Sequence, residues 1–270
     1  MKRTFLHFLG MTVALVVCAG ASSTSFGYIV DLTTTGSSGT IGGALFEQVG
    51  PQPTGTGFID SFLRIKQTGN EAAYNTGGNL PNPFNQLGGH SFNRDLLLSE
   101  VPIVNGSYQF LLDINQINSG TGPLLPLNQL QVFLTGTAGQ TGGSWDTSTD
   151  GRLVTTGMTD LHSVYDMNPG GGTANSVLLN YNLNPGSGAG DMFLDLPTVL
   201  FAGVPGQYVL LYSQFGDPPG AYPSNDGFEE WAVISGAAVP EPSSPLLCVL
   251  AAAIWFGLRL AQPRAKVSLR

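Results

Sequence analysis

Cysteine is almost missing from this chain, and the two present, Cys18 and Cys248, both lie in apolar terminal segments. A body freed of those ends holds no thiol, which excludes disulfides, thiol catalysis and Cys-based metal sites, so the core alone must hold the fold. Charge is also scarce: Asp, Glu, Lys and Arg make up 10% of the residues, against roughly 25% in ordinary soluble proteins. Positive charge is scarcest of all. Lys2 and Arg3 sit at the start and Arg259, Arg264, Lys266 and Arg270 at the end, which leaves Arg64, Lys66, Arg94 and Arg152 between residues 22 and 244 against all eighteen Asp and Glu, of which only Glu241 lies beyond residue 235. Such a body repels phosphate backbones, so nucleic acid is excluded as a direct partner. Acidic polysaccharides are repelled too unless divalent cations bridge them, whereas neutral glycans are not.

Convergent catalytic groups are equally sparse. The body has two histidines, His90 in a Gly-rich stretch and His162 near Asp160, with neither a Gly-x-Ser-x-Gly elbow nor a His-Glu-x-x-His zinc motif beside them. No catalytic residue is assigned, and the chain is read as a non-enzyme.

What the chain does have is glycine, 37 residues of it, together with abundant Asn, Ser and Thr. That composition favours short strands and turns over helices. Strands are expected at 28–32, 44–48, 58–66, 95–98, 108–114, 130–135, 163–166, 176–182, 208–215 and 230–234. Turns are expected at Asn105-Gly106, Asn168-Pro169-Gly170, Asn184-Pro185-Gly186 and Asp226-Gly227. The strands are not cleanly amphipathic, which suits a sandwich whose outer faces are partly covered by loops. The fold class is therefore all-β, a β-sandwich or jelly-roll-like body of about eight to twelve strands. The Gly-rich connections 68–92 and 136–151 read as surface loops.

Both ends carry an address. Met1-Lys2-Arg3, an apolar run from Phe5 to Cys18 and Ala19-Gly20-Ala21 fit a secretory signal peptide over 1–21, cleaved between Ala21 and Ser22 by signal peptidase. The body spans 22–235. Beyond it, 236–244 is a linker holding Val239-Pro240-Glu241-Pro242, where two prolines enforce an extended segment. Residues 245–261 read as a transmembrane helix and 262–270 as a basic end. The strictly apolar part, 245–258, gives roughly 21 Å of helix, which Arg259 extends by snorkelling. Positive charge at both ends places the body outside.

This tail resembles the PEP-CTERM family, whose members end in such a motif, a short membrane segment and a basic cluster. The resemblance implies Val239, Pro240, Glu241 and Pro242 as the sorting and processing motif, and Arg259, Arg264 and Lys266 as the basic stop. It implies an exosortase as processing partner. Localisation follows as an inner-membrane intermediate, then the cell surface or extracellular matrix of a Gram-negative-type bacterium that makes exopolysaccharide. Pro263 interrupts the basic cluster and departs from the family pattern. The segments 98–104, 110–116, 188–193 and 225–231 look like a recurring β-rich body found among PEP-CTERM proteins, with no activity attached to it.

The leading expectation is a structural or interaction protein of the surface matrix, associated with exopolysaccharide. A first alternative is a calcium-assisted carbohydrate-binding module. Its metal ligands would be Asp226, Glu229 and Glu230, hard oxygen donors close together beside Gly227. Asp146 with Asp150 and Asp166 with Asn168 are lesser groups, and Trp145, Tyr212, Tyr222 and Trp231 would supply a sugar-stacking platform. A plainer arrangement makes Asp226-Gly227 a hairpin turn with Glu230 facing solvent. No other cofactor is expected. A second alternative, a glycan hydrolase, requires two carboxylates about 5 to 10 Å apart in a cleft.

Overall fold

The structure is a computed structural model and describes residues 27–50, 59–81, 84–87, 92–145, 151–169, 175–216, 222–225 and 227–234. The segments expected to be a signal peptide, a sorting motif, a transmembrane helix and a basic end, together with Asp226 and His90, lie outside the described residues.

The described chain is all-β, with sixteen strands and three short 3-10 turns. In order they are β1 (Ile29–Asp31), β2 (Ser38–Ile41), β3 (Ala44–Gln48), β4 (Ile59–Ile65), β5 (Glu71–Tyr74), β6 (Leu96–Leu97), β7 (Ile103–Val104) and β8 (Ser107–Asp113). There follow β9 (Leu124–Thr135), β10 (Ser144–Trp145), β11 (Leu153–Val154), β12 (Leu161–Asp166), β13 (Ser176–Asn180), β14 (Met192–Pro197), β15 (Tyr208–Phe215) and β16 (Glu229–Ile234). One seven-stranded sheet runs β1-β13-β9-β15-β5, with β12 also on β9 and β6 on β15. The other runs β2-β3-β14-β8-β16-β4, with β7 on β8. β10 and β11 form a separate two-stranded antiparallel sheet.

The two sheets share one hydrophobic core. Val209, Leu211 and Phe215 of β15 enter it from the first sheet, and Phe110, Leu112, Trp231 and Val233 of β8 and β16 enter it from the second. Fully burying each such side chain is worth about 1.5–3 kcal/mol. Trp231 also ties the sheets by a hydrogen bond, its indole N–H donating to Ser213 Oγ at 2.9 Å.

The mixed patterning of the strands has a physical cause. In β15 and β5 the alternate residues Leu210, Tyr212, Ala72 and Tyr74 point away from the core, yet they are buried in a second apolar cluster with Phe84, Phe133 and Leu153. Connecting segments cover this outer face, so an apolar residue is stable on either side. All ten expected strand regions contain a strand. The expected loop 68–92 is only partly a loop, because β5 lies inside it with all four residues buried. Likewise β14, between β3 and β8, falls in a stretch for which no strand was expected.

Candidate functional site: an interior carboxyl junction

β8, β14 and β16 bring acidic residues to one end of the second sheet. Asp113 closes β8, Asp191 immediately precedes β14, and Glu229 opens β16. Leu112 pairs with Met192 on one side and Trp231 on the other, which fixes all three acids near one level. The segment 184–190 folds over this end. Gly190, at φ +65°, lies so close to Leu111 that a Cβ there would come within 2.7 Å of its side chain.

Successive residues of β16 face opposite sides of the sheet. Glu230 lies on the outer face in register with Arg64 and Asp113. Arg64 Nη2 donates to both Glu230 oxygens at 3.1 Å, and the Ser61 hydroxyl donates to Oε1. The Arg64 guanidinium lies 3.4 Å from the Phe92 ring centroid and 4.0 Å from that of Phe228, so two aromatic faces roof the ion pair. Glu230 is buried, and the expectation that it faces solvent is overturned by this register.

Asp113 and Asp191 flank that pair. Gly188 N–H donates to Asp113 Oδ2, and Ile114 N–H donates to Asp191 Oδ2 at 2.8 Å. The second oxygen of each carboxyl has no hydrogen-bond partner. Burial pushes the Asp113 carboxyl up to about 6, with the Glu230 charge adding to the rise and Arg64 opposing it. Asp191 is raised well above the ordinary carboxylate range, chiefly by burial and then by the neighbouring Asp113.

Glu229 faces inward and meets Glu71 of β5, so one carboxyl comes from each sheet. Both residues are 0% exposed. Gln116 Nε2 donates to Glu229 Oε1 at 2.6 Å, and Gln67 N–H donates to Glu71 Oε2 at 2.6 Å. Glu71 Oε1 and Glu229 Oε2 find no donor. Loops lock around them: Gly69 and Ser224 exchange backbone hydrogen bonds, Ile117 N–H donates to Asn225 Oδ1 at 2.8 Å, and Asn225 Nδ2 donates to Gly122 O at 2.8 Å.

The structure thus does not bring Glu229 and Glu230 together as ligands of one ion; they serve opposite faces of a strand. Among the described residues no three His, Cys, Asp or Glu side chains are grouped to hold a metal. Asp146 and Asp150 lie outside the described residues, while Asp166 pairs with Arg152 and accepts from Asn168 N–H at 2.9 Å. The aromatic platform does not form: Trp231 is in the central core and Tyr212 in the outer cluster, both fully buried. His162 Nε2 lies 2.9 Å from Asp160 Oδ1 on the surface, and Asp160 also accepts from Gly136 N–H. A groove at the opposite end of β8, between Leu97, Leu98, Val101, Ile103, Tyr108 and Gln207, contains no carboxylate or imidazole.

Chemically, the junction can hold protons within the fold. The roles of Glu71, Asp113 and Asp191 were missed from sequence. The available signal was an acidic residue at a strand end in each of the segments 110–116, 188–193 and 225–231. Comparison of the chain with family models, with characterised proteins and with solved structures gives no match.

Proposed function

We propose that this chain is an exported structural or interaction protein of the bacterial cell surface or extracellular matrix, a PEP-CTERM type substrate processed by an exosortase. The observation that carries the reading is the linear order of a secretory signal, a β body without cysteine, Val239-Pro240-Glu241-Pro242, an apolar segment and basic residues. The last described strand, β16, ends at Ile234, five residues before Val239. Tyr212, Trp231, Glu229 and Glu230, four of the side chains that the glycan-binding alternative would use, are buried inside the fold, which supports a scaffold over a ligand site. Association with exopolysaccharide accompanies this address.

The test replaces Pro240, Glu241 and Pro242 by alanine in the native host. The account expects the variant to accumulate in the inner membrane while the wild-type protein reaches the surface or medium. Equal surface delivery of both proteins contradicts it.

A further inference from the structure

The Glu71–Glu229 contact departs from the ordinary chemistry of a sandwich core. Two carboxyls with 0% exposure, one from each sheet, interact with one another, and one oxygen of each, Glu71 Oε1 and Glu229 Oε2, has no hydrogen-bond partner. Two ionised carboxylates in that position would be desolvated and mutually repelling, which no fold tolerates without a counter-charge. Something positive must sit between them.

The surroundings decide what it is. Gln67 N–H and the Gln116 amide donate to the other oxygen of each carboxyl, and Ser224 lies beside Glu71. A divalent cation such as calcium wants six to eight oxygen ligands, whereas these neighbours present mainly N–H groups. Across the strand, Arg64 is committed to Glu230 on the opposite face. Among the described residues, Glu71 is the charged neighbour that acts on Glu229, and Gln67, Asn115, Gln116 and Ser224 beside the pair are uncharged. A single proton fits this donor set: one carboxyl donates, the other accepts, and every remaining oxygen keeps its N–H or O–H partner.

We propose that Glu71 and Glu229 share one proton and so act as a latch between the two sheets, closed while the proton is held and released as rising pH removes it. On release the proton passes to solvent and two carboxylates are left facing each other. The strain falls on the described segments that close this end, 66–70, 114–122 and 222–225. Burial raises both carboxyls above the ordinary carboxylate range, the direction that a retained proton requires. The sign follows: a group raised in the folded state stabilises fully below its unfolded value and loses that contribution as pH climbs through its folded value. An exported protein meets external pH directly, so the latch would tune the firmness of the body to its surroundings.

The test is thermal unfolding of the full-length chain in mild detergent from pH 6.5 to 9, for the wild type, Glu229→Gln and Glu71→Gln. Gln keeps the shape and cannot ionise. The wild-type Tm is expected to fall by roughly 5 °C or more across the range, and both variants are expected to show a much flatter profile. Parallel slopes in all three proteins overturn the proposal, as does recovery of the wild-type Tm at pH 9 on adding calcium chloride. Should the variants fail to fold, infrared spectra of wild-type protein labelled with 13C-glutamate decide instead. A protonated glutamic acid carbonyl band at pH 7.5 supports the shared proton, and its absence overturns it.

Discussion

Arg64 does three jobs with one side chain: it holds both oxygens of Glu230, offsets the charge beside Asp113, and fills the space between Phe92 and Phe228. Its replacement by alanine strands a buried carboxylate, a change that costs about 3–5 kcal/mol. Urea denaturation of Arg64→Ala should show that loss, and pairing Arg64→Met with Glu230→Gln should recover most of it, since the stranded charge is then gone. A loss below about 1 kcal/mol would mean that the pair is solvated. Asp113 gives a pH prediction of its own. With its carboxyl raised to about 6 in the folded state, from 3.8, its contribution is complete below pH 3.8 and is lost as pH rises through about 6. Asp113→Asn should therefore flatten the stability profile between pH 4 and 6, and should exceed the wild type at pH 7 by up to roughly 2–3 kcal/mol. Individual side chains of this junction were legible in the sequence as acids near turns. Their burial was not, because Asp113 and Asp191 acquire it from a covering segment, 184–190, that contains no regular element to be read.

At the level of elements, sequence patterning served well where a strand carried β-branched and aromatic residues, as in Tyr108 to Leu112 or Val209 to Phe215. It failed at β5, where Glu71-Ala72-Ala73-Tyr74 carries little β propensity and an ionisable residue, features that ordinarily mark a solvated stretch. Tertiary pairing with β15 overrides that preference, and the inward acid is made tolerable by its partner on β16. The junction of β15 with the turn before β5 is also the tightest backbone approach at this end. Gly216, at φ +88°, would place a Cβ 2.3 Å from the Gly69 carbonyl oxygen. Gly216→Ala should lower stability by at least about 1 kcal/mol, visible as a Tm loss of about 2–4 °C per kcal/mol. A Tm unchanged within a degree would show that the turn relaxes freely. In the same register Trp231→Phe keeps most of the core volume but leaves Ser213 Oγ without its donor. A loss of about 1–3 kcal/mol is expected in urea denaturation.

For the molecule as a whole, the absence of cysteine from the body and the two large sheets belong together: a core shared by both sheets replaces the covalent staples that smaller exported domains need. The all-β class and the strand regions followed from composition and turn residues. The layering of two clusters, one between the sheets and one outside the first, depends on long-range pairing that no local pattern reports. The address rests on the two ends of the chain and the interior on the carboxyl junction, and these are separable claims. The most direct test of the central one, that the tail is a processed sorting signal, is the intact mass of the protein recovered from its native host with and without the exosortase. The account predicts a released species that lacks everything beyond the Pro240-Glu241-Pro242 region and that disappears when the exosortase is absent. A single species with an intact tail in both strains would contradict it and make the tail an ordinary membrane anchor.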